Sequence, residues 1–382
     1  VDINRDTLLP RQKRLSRKST HFSAGNFFPL QEHFMKNKLV IGMPAGSLAD
    51  VNRGGNLVTL LKAAGFPTQG YEKGGPTTFP LHSMLFGWDG RPQEFGAQLA
   101  LHEVDIAIGG DDWIAERLLE YKHEYGKNIT LSKALSLGRG KVRLVIINAP
   151  RPEGQSFDAW LTQLLTEQKI IRAVSEMPYL FIQWFQKKRA ALGFGEEWDC
   201  YSIQKYNTPP KIEKGLVVYE SWGKTEAKVL HGSVDFGLEI TQTGSAIRNY
   251  GLEISEEIMQ SEAGVWAAEG LKNDPEKYEL ARMFLLNLYG AVFAENKVLV
   301  LFNARKDQVP AIIDYLDKHR LFGDEPTMNE GINFTEFNIQ VRTADPALPL
   351  AQVRYDLARL GATHIETLPL DSCIPELSVI DF

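Results

Sequence analysis

Cysteine is almost absent from this 382-residue chain, which holds only Cys200 and Cys373. Two thiols so far apart make neither a disulfide framework nor a metal-ligand cluster, so the expected compartment is a reducing one, the cytoplasm. No apolar run approaches the roughly 18 residues of a membrane span. The first residues carry no apolar stretch behind their charges, so no secretory signal is expected. Positive charge is not in excess, because 42 Lys and Arg face 48 Asp and Glu and leave a net −6. Such a chain lacks the basic face that general nucleic-acid binding needs. Internal repeats and low-complexity segments are missing as well. The 43% hydrophobic and 24% charged composition argues against disorder over most of the length. The length suggests two or three domains.

Residues 1–36 carry Arg5, Arg11, Lys13, Arg14, Arg17 and Lys18 with no sustained apolar period. They read as an irregular arm, and the lack of aromatics among the cations argues against a nucleic-acid tail. From Lys38 onward short buried-type strands alternate with helices. Leu39–Met43 leads into Pro44-Ala45-Gly46-Ser47-Leu48 and then a helix bearing Leu57, Leu60, Leu61 and Ala64. Val104–Ile108 feeds a turn and a helix over 111–121. Strands are expected at 142–148, 170–174, 216–219 and 234–240, with a helix over 177–192. This alternation means α/β layers around buried sheets. A helix over 275–292 is followed by strand 297–303, helix 306–319, an edge strand near 326–330, strand 334–342, helix 350–360 and strand 363–368. That order is βαββαβ, a ferredoxin-like module.

One stretch carries the most chemistry. Strand 234–240 ends near an acid, Glu239, and the next residues are Thr241, Gln242, Thr243, Gly244, Ser245 and Ala246. Hydroxyls and free backbone N–H groups at a helix start can cradle an anion. An acid just ahead of them can accept hydrogen bonds from vicinal ribose hydroxyls. The combination suits a ribose 5-phosphate, although a simple N-cap by Thr243 or Ser245 has the same signature.

The stretch resembles the phosphoribosyl-binding loop of the ATP phosphoribosyltransferase family, Gly-Leu-Ala-Asp-Ala-Ile-x-Asp-Leu-Val-Ser-Thr-Gly-x-Thr-Leu. Residues 232–247 align with it without a gap, and Gly232, Asp235, Thr243 and Gly244 are identical. Gly223 and Glu226 resemble the family's Gly-Ser-Val-Glu, and Ser261-Glu262-Ala263 its Ser-x-Ala. Residues 104–110 with Asp112 are similar to Val-Asp-Leu-Gly-Ile-x-Gly-x-Asp, preceded by Arg91 and Glu94 where the family has Arg-x-x-Asp. Residues 137–144 resemble the Leu-Gly-x-Gly-x-Cys-Arg-Leu crossover, and residues 172–178 Arg-Val-Ala-Thr-Glu-Tyr-Pro. The C-terminal module resembles the family's regulatory domain.

The resemblance implies a two-lobed, periplasmic-binding-protein-like α/β catalytic unit plus the C-terminal ferredoxin-like domain. Lobe I is expected over 37–139 and 253–295, lobe II over 140–252, and the regulatory or assembly domain over 296–382. The implied reaction joins N1 of ATP to C1 of phosphoribosyl pyrophosphate and releases pyrophosphate, with Mg²⁺ brought by that donor. Glu239 would hold the ribose hydroxyls. Thr241, Gln242, Thr243, Gly244, Ser245 and Ala246 would hold the phosphoribosyl group, with Arg91 and Arg143 as cations near the nucleotide or pyrophosphate. Ala45, Gly46, Ser47, Arg91, Asp112, Tyr179 and Glu226 are expected on the acceptor side, and no resident metal set on the chain. Histidine as effector and a homo-oligomer are further implications, with no nucleic acid and no membrane as partners.

The sequence also departs from the family. The first strand should end in Pro-Lys-Gly-Arg-Leu, but Ala45 and Ser47 replace both cations, with Arg53 as a candidate replacement. The acid of the loop is Glu239 where the family has Asp, and the second loop Thr is Ala246. These departures leave open a phosphoribosyltransferase with another acceptor base, or a non-catalytic two-lobed binder of a small ligand. His82, His102 and His231 lack metal-ligand spacing. Asp111-Asp112 reads as a helix cap, and Phe181, Trp184 and Phe185 as core.

Overall fold

Leu39–Pro44 (β1) is apolar along its whole length and buried at every position, so it needs cover on both faces. In the computed structural model, which describes residues 37–49, 55–71, 77–322 and 327–382, helices supply that cover. The basic arm, Arg53, Gly74 to Pro76 and Pro326 lie outside the described residues. After β1 come α1 (Leu57–Ala63), β2 (Leu85–Gly90), α2 (Pro92–Ala100), β3 (Ile106–Gly110) and α3 (Asp111–Tyr125). Next are β4 (Ser132–Asn148), α4 (Phe157–Glu167), β5 (Ile170–Ser175), α5 (Pro178–Ala191), β6 (Tyr201–Lys205) and β7 (Gly215–Glu220). Then follow α6 (Thr225–Leu230), β8 (Phe236–Thr241), α7 (Ser245–Asn249), β9 (Glu253–Ala267) and α8 (Pro275–Ala294).

These strands form one sheet in the order β2-β1-β3-β9-β4-β8-β5-β7-β6. At one end β1 pairs in parallel with β2 and β3, and at the other β5 pairs in parallel with β7 and β8. Between these two parallel groups lie β4 and β9, long, adjacent and antiparallel. They run from one lobe into the other, so the fold is two α/β lobes on a shared pair of strands. One core packs Leu39, Ile41, Ile106 and Val265 against Phe284 and Leu288 of α8. A second packs Leu144, Ile171 and Phe236 against Phe181, Trp184 and Phe185 of α5, as expected of those aromatics.

The strand β4 is irregular where it changes lobes. Its register with β9 slips between Ser136 and Arg139 and again between Arg139 and Val142. Gly138 and Gly140 there have φ of +62° and +60°. Bulges of this kind re-aim side chains along a strand. Sequence pattern placed a strand only over 142–148, because the polar, glycine-bearing first half has no β period of its own. Likewise β9 reads Glu-Ile-Ser-Glu-Glu, and it is the pairing with β3 and β4 that makes it a strand. The strand β8 runs two residues beyond Glu239, because Arg143 of β4 still pairs with Thr241. Glu239 therefore lies within the strand and not at its end, and α7 starts at Ser245.

The C-terminal module holds β10 (Lys297–Arg305), α9 (Val309–His319), β11 (Thr327–Glu330), β12 (Phe334–Arg342), α10 (Leu350–Arg359) and β13 (Thr363–Pro369). Its antiparallel sheet has the order β11-β12-β10-β13, the ferredoxin-like arrangement. Val300, Phe302, Phe337 and Ile339 pack there on Ile312, Leu316, Val353 and Leu357. The residues after β13 do not stay with this module. Ile380 is 2% exposed and belongs to the lobe I core, with Val379 and Phe382 packed beside it. The expected 296–382 unit thus lends its last residues to lobe I.

Candidate functional site

The turn after β8 is built from its own hydroxyls. The Gly244 amide donates to Thr241 Oγ1 at 2.9 Å, and the Ser245 amide to Thr243 Oγ1 at 3.3 Å. Thr243 Oγ1 and Ser245 Oγ share a hydrogen bond of 2.7 Å. Gly244 has φ of +73°, and a Cβ there would come within 2.9 Å of Ile254 Cδ1 and 3.1 Å of Arg248 Nη1. The turn therefore needs glycine for conformation and for space. Gln242, Thr243, Ser245 and Ala246 are exposed. Arg248 leans back over the turn, with Nη2 3.4 Å from Ser245 Oγ.

Behind the turn lies a group of acids. Glu239 has its pKa pushed up to about 7, first by burial and next by the charge of Glu226, with Glu176 adding to it. Burial also raises Glu176, while the Gly223 amide and Lys228 act against that. Lys228 is their counter-ion; burial lowers its pKa and the charges of Glu176 and Glu239 raise it. Its Nζ donates to the Gly223 carbonyl at 2.8 Å and to the Ser221 hydroxyl. Three carboxylates and one lysine at the C-terminal end of parallel strands β5, β7 and β8 offer acceptors to a polyhydroxylated ligand. Open α/β sheets place their ligands at that end of the strands.

A cavity of about 420 Å³ opens beside the turn, lined by Asp111 at the start of α3, Lys141 and Arg143 of β4, Gln242, and Gln260 to Glu262 of β9. Both lobes contribute to it. Arg143 Nη1 lies 3.1 Å from Glu257 Oε2. Lys133 bridges Asp111 and Glu262, with Nζ 2.7 Å from Asp111 Oδ1 and 3.5 Å from Glu262 Oε1.

A latch joins the lobes through α3 and α5. Glu116 of α3 is 4% exposed. Its two oxygens accept from the Tyr179 and Leu180 amides at 2.9 and 2.7 Å, in the first turn of α5. Burial pushes its pKa up to about 8, although both amides pull it down. Trp113 of α3 stacks on Trp222, ring centroids 6.4 Å apart and planes 7° apart.

Several expected site residues thus meet: Glu239 with Glu226, Thr241 to Ser245 in one turn, and Arg143 with Gln242 on the cavity. Others do not. Asp112 is buried; it accepts from the Trp113 amide at 2.8 Å, and its own amide donates to Ser261 Oγ at 3.1 Å. It ties α3 to β9. Tyr179 faces α3, with its ring stacked on His123 and its hydroxyl bonded to Glu124. Arg91 is exposed at the N-cap of α2. Ala45 and Gly46 are exposed, while the Ser47 side chain lies outside the described atoms. Sequence reading passed over Glu176 as a site acid, and over Lys228, Arg248 and Lys141. Arg248 was within reach of it, three residues after Ser245 on one helix face.

A family model described as ATP phosphoribosyltransferase matches residues 91–287. The ATP phosphoribosyltransferase of Geotalea uraniireducens is 27% identical over 354 residues, covering 89% of this chain and 100% of that one. That of Solidesulfovibrio magneticus is 34% identical over 289 residues, covering 73% of this chain and 81% of that one. Among solved structures, the ATP phosphoribosyl transferase (HisG:HisZ) complex from Thermotoga maritima aligns with a TM-score of 0.45 and 17% identity, over 65% of this chain and 98% of that one.

Proposed function

The chain belongs to the ATP phosphoribosyltransferase family, and from that premise we propose that it joins N1 of ATP to C1 of phosphoribosyl pyrophosphate. The bond from C1 to the pyrophosphate oxygen breaks as the N1 lone pair forms the new one, and pyrophosphate leaves with the electron pair. The observation that carries this reading is the hydroxyl turn Thr241 to Ala246, backed by Glu239 and Glu226, with its Gln242 on a cavity shared by both lobes.

In this reading the exposed hydroxyls of Thr243 and Ser245, with Arg248 above them, hold the 5-phosphate. Glu239 accepts from the ribose hydroxyls. Arg143 faces the reacting end, and Arg91 serves the acceptor from the opposite lobe. The chain contributes orientation and charge in place of a covalent nucleophile. Among the described residues no group of three or more His, Cys, Asp or Glu side chains has an arrangement that could hold a metal ion, the three acids behind the turn included; in this reading Mg²⁺ arrives on the donor's pyrophosphate. The C-terminal module serves regulation or assembly, with histidine as the effector to test first and a homo-oligomer as the expected state. Place of work is a soluble biosynthetic one in the cytoplasm; among the described residues no helix is long and apolar enough to cross a membrane.

The test supplies purified protein with ATP, phosphoribosyl pyrophosphate and Mg²⁺, and follows pyrophosphate release together with the mass of the nucleotide product. A phosphoribosyl-ATP adduct is expected. Pyrophosphate release only with another base would move the chain to a different acceptor, and no release with any base would leave a binding protein.

A further inference from the structure

The first turn presents no cation, since Ala45, Gly46 and Ser47 follow Pro44. A reaction between two oligophosphates needs positive charge where they approach. The crossing strand shows where this chain places it. Gly140, at φ +60°, lies so close to the first turn that a Cβ on it would come within 2.8 Å of Leu48 Cδ2. The next residue is Lys141. The register slip between Arg139 and Val142 sets Lys141 and Arg143 on the wall of the 420 Å³ cavity, facing Gln242 of the hydroxyl turn.

The cations on and beside this cavity are not equivalent. Lys133 is held by Asp111 and Glu262, and Arg143 by Glu257. Lys141 is exposed, and among the described residues it has no hydrogen bond or ion pair. Its charge is felt by Glu262, whose pKa it helps to lower. A lysine with a free ammonium on a flexible stem suits a phosphate oxygen whose position is not fixed by a bidentate fork. Gln242 and Gln260 add neutral donors on the same walls.

We propose that Lys141 binds the oligophosphate that reacts between the lobes, supplying from β4 the charge that the first turn lacks. The inference rests on the proposed phosphoribosyl transfer and names the residue that serves its phosphates. Two phosphate groups of that chemistry enter the reaction, the pyrophosphate of the donor and the triphosphate of the acceptor. Gln242 adjoins the turn assigned to the 5-phosphate, so the donor's pyrophosphate is the nearer of the two.

The experiment measures inorganic pyrophosphate binding with Mg²⁺ by calorimetry, which needs no turnover. Lys141→Ala should weaken it roughly tenfold or more, the scale of a hydrogen bond to a charged group. Lys141→Arg should stay within about threefold, because the charge is kept. Ala45→Lys in the Lys141→Ala background should recover part of the loss, since the first turn borders the same strand. Unchanged pyrophosphate affinity in Lys141→Ala, with its unfolding midpoint also unchanged, would overturn the proposal. An equal loss in Lys141→Arg would overturn it too, as charge would then not be the cause. Steady-state arms separate the two sources: a KM rise for phosphoribosyl pyrophosphate alone assigns Lys141 to the donor, a rise for ATP alone to the acceptor. Lys141-dependent pyrophosphate binding by a protein that forms no adduct with ATP would uphold this inference while rejecting the proposed acceptor.

Discussion

The turn after β8 and the turn after β1 lie along one strand of the protein, yet they are built in opposite ways. Arg143 of β4 pairs in register with Thr241, at the start of one turn. Gly140 of the same strand touches Leu48, at the end of the other. The turn after β8 carries its own chemistry, with three hydroxyls, a required glycine and an arginine within eight residues. The turn after β1 holds no cation in Ala45, Gly46 and Ser47, and Gly140 of β4 lies against its Leu48. If the proposal for Lys141 holds, a site keeps its electrostatics while losing its local motif, because the cation sits instead on the crossing strand.

Breaking the self-sufficient turn should have the largest effect. Gly244→Val forces a β-branched residue into φ +73° and drives Cβ toward Ile254. Such strain costs about 1–3 kcal/mol, and the loop would relieve it by moving its hydroxyls. Donor affinity should fall roughly 100-fold or more. Thr243→Ala keeps the backbone and removes one donor, so a loss of roughly 10-fold is expected. Calorimetry with phosphoribosyl pyrophosphate reads both, and unchanged affinity in Gly244→Val would remove the turn from the site.

The next effect is on the frame that holds the two lobes together around the cavity. Glu116 closes two amides of α5 from across the lobes while buried. Glu116→Ala leaves those amides unpaired and should lower stability by roughly 1–3 kcal/mol. Urea unfolding at pH 7 measures it. A loss below about 0.5 kcal/mol would mean that water replaces the Glu116 carboxyl group and that the latch does not hold the lobes.

Glu239 gives a smaller, pH-dependent effect. Its folded pKa of about 7 lies above the ordinary carboxylate value, mainly through burial. The folded state then binds its proton more tightly than the unfolded chain does. The stability this provides is complete below about pH 4.5 and is lost as pH rises through about 7. The ionised form is the better acceptor for ribose hydroxyls, so donor affinity should rise as pH passes through 7, by several-fold. Glu239→Gln should flatten that step and remove the matching fall in stability. A titration from pH 6 to 8.5 that leaves the two proteins parallel would take Glu239 out of the ribose contact.

The same contrast explains what could be read in the sequence. Apolar runs such as Leu39–Pro44 and 170–175 are buried strands whatever surrounds them, and the hydroxyl turn is local chemistry. The acid pocket was half legible: Glu226, Glu239 and Glu176 each fall in a stretch read as a motif, but only the fold brings the ends of β5 and β8 and the helix α6, with Lys228, together. Half of β4 and most of β9 were not legible. Polar residues there become strand only through pairing, and register slips decide which side chains reach the cavity. Lys141 stands at a variable position of the crossover likeness, and its place against the first turn shows only through Leu48 lying against Gly140. The tail shows the same limit, because nothing in residues 377–382 reveals that Ile380 fills a core begun at Leu39.

The smallest effect expected is also the one that sharpens the comparison most. Ala45 is exposed at the end of β1, so Ala45→Lys places a cation on the first turn without disturbing the core. If Lys141 already neutralises the oligophosphate, a second cation adds little, because the first has taken the favourable interaction. In the wild-type background Ala45→Lys should therefore change pyrophosphate affinity by less than about threefold, a shift under roughly 0.7 kcal/mol. In the Lys141→Ala background the same substitution should give a clearly larger gain. That inequality is a coupling between two residues that meet the same ligand, and a double-mutant cycle measures it directly. Equal gains in both backgrounds would show that the two positions act on separate phosphates, and the first turn would then have lost its charge without replacement from β4.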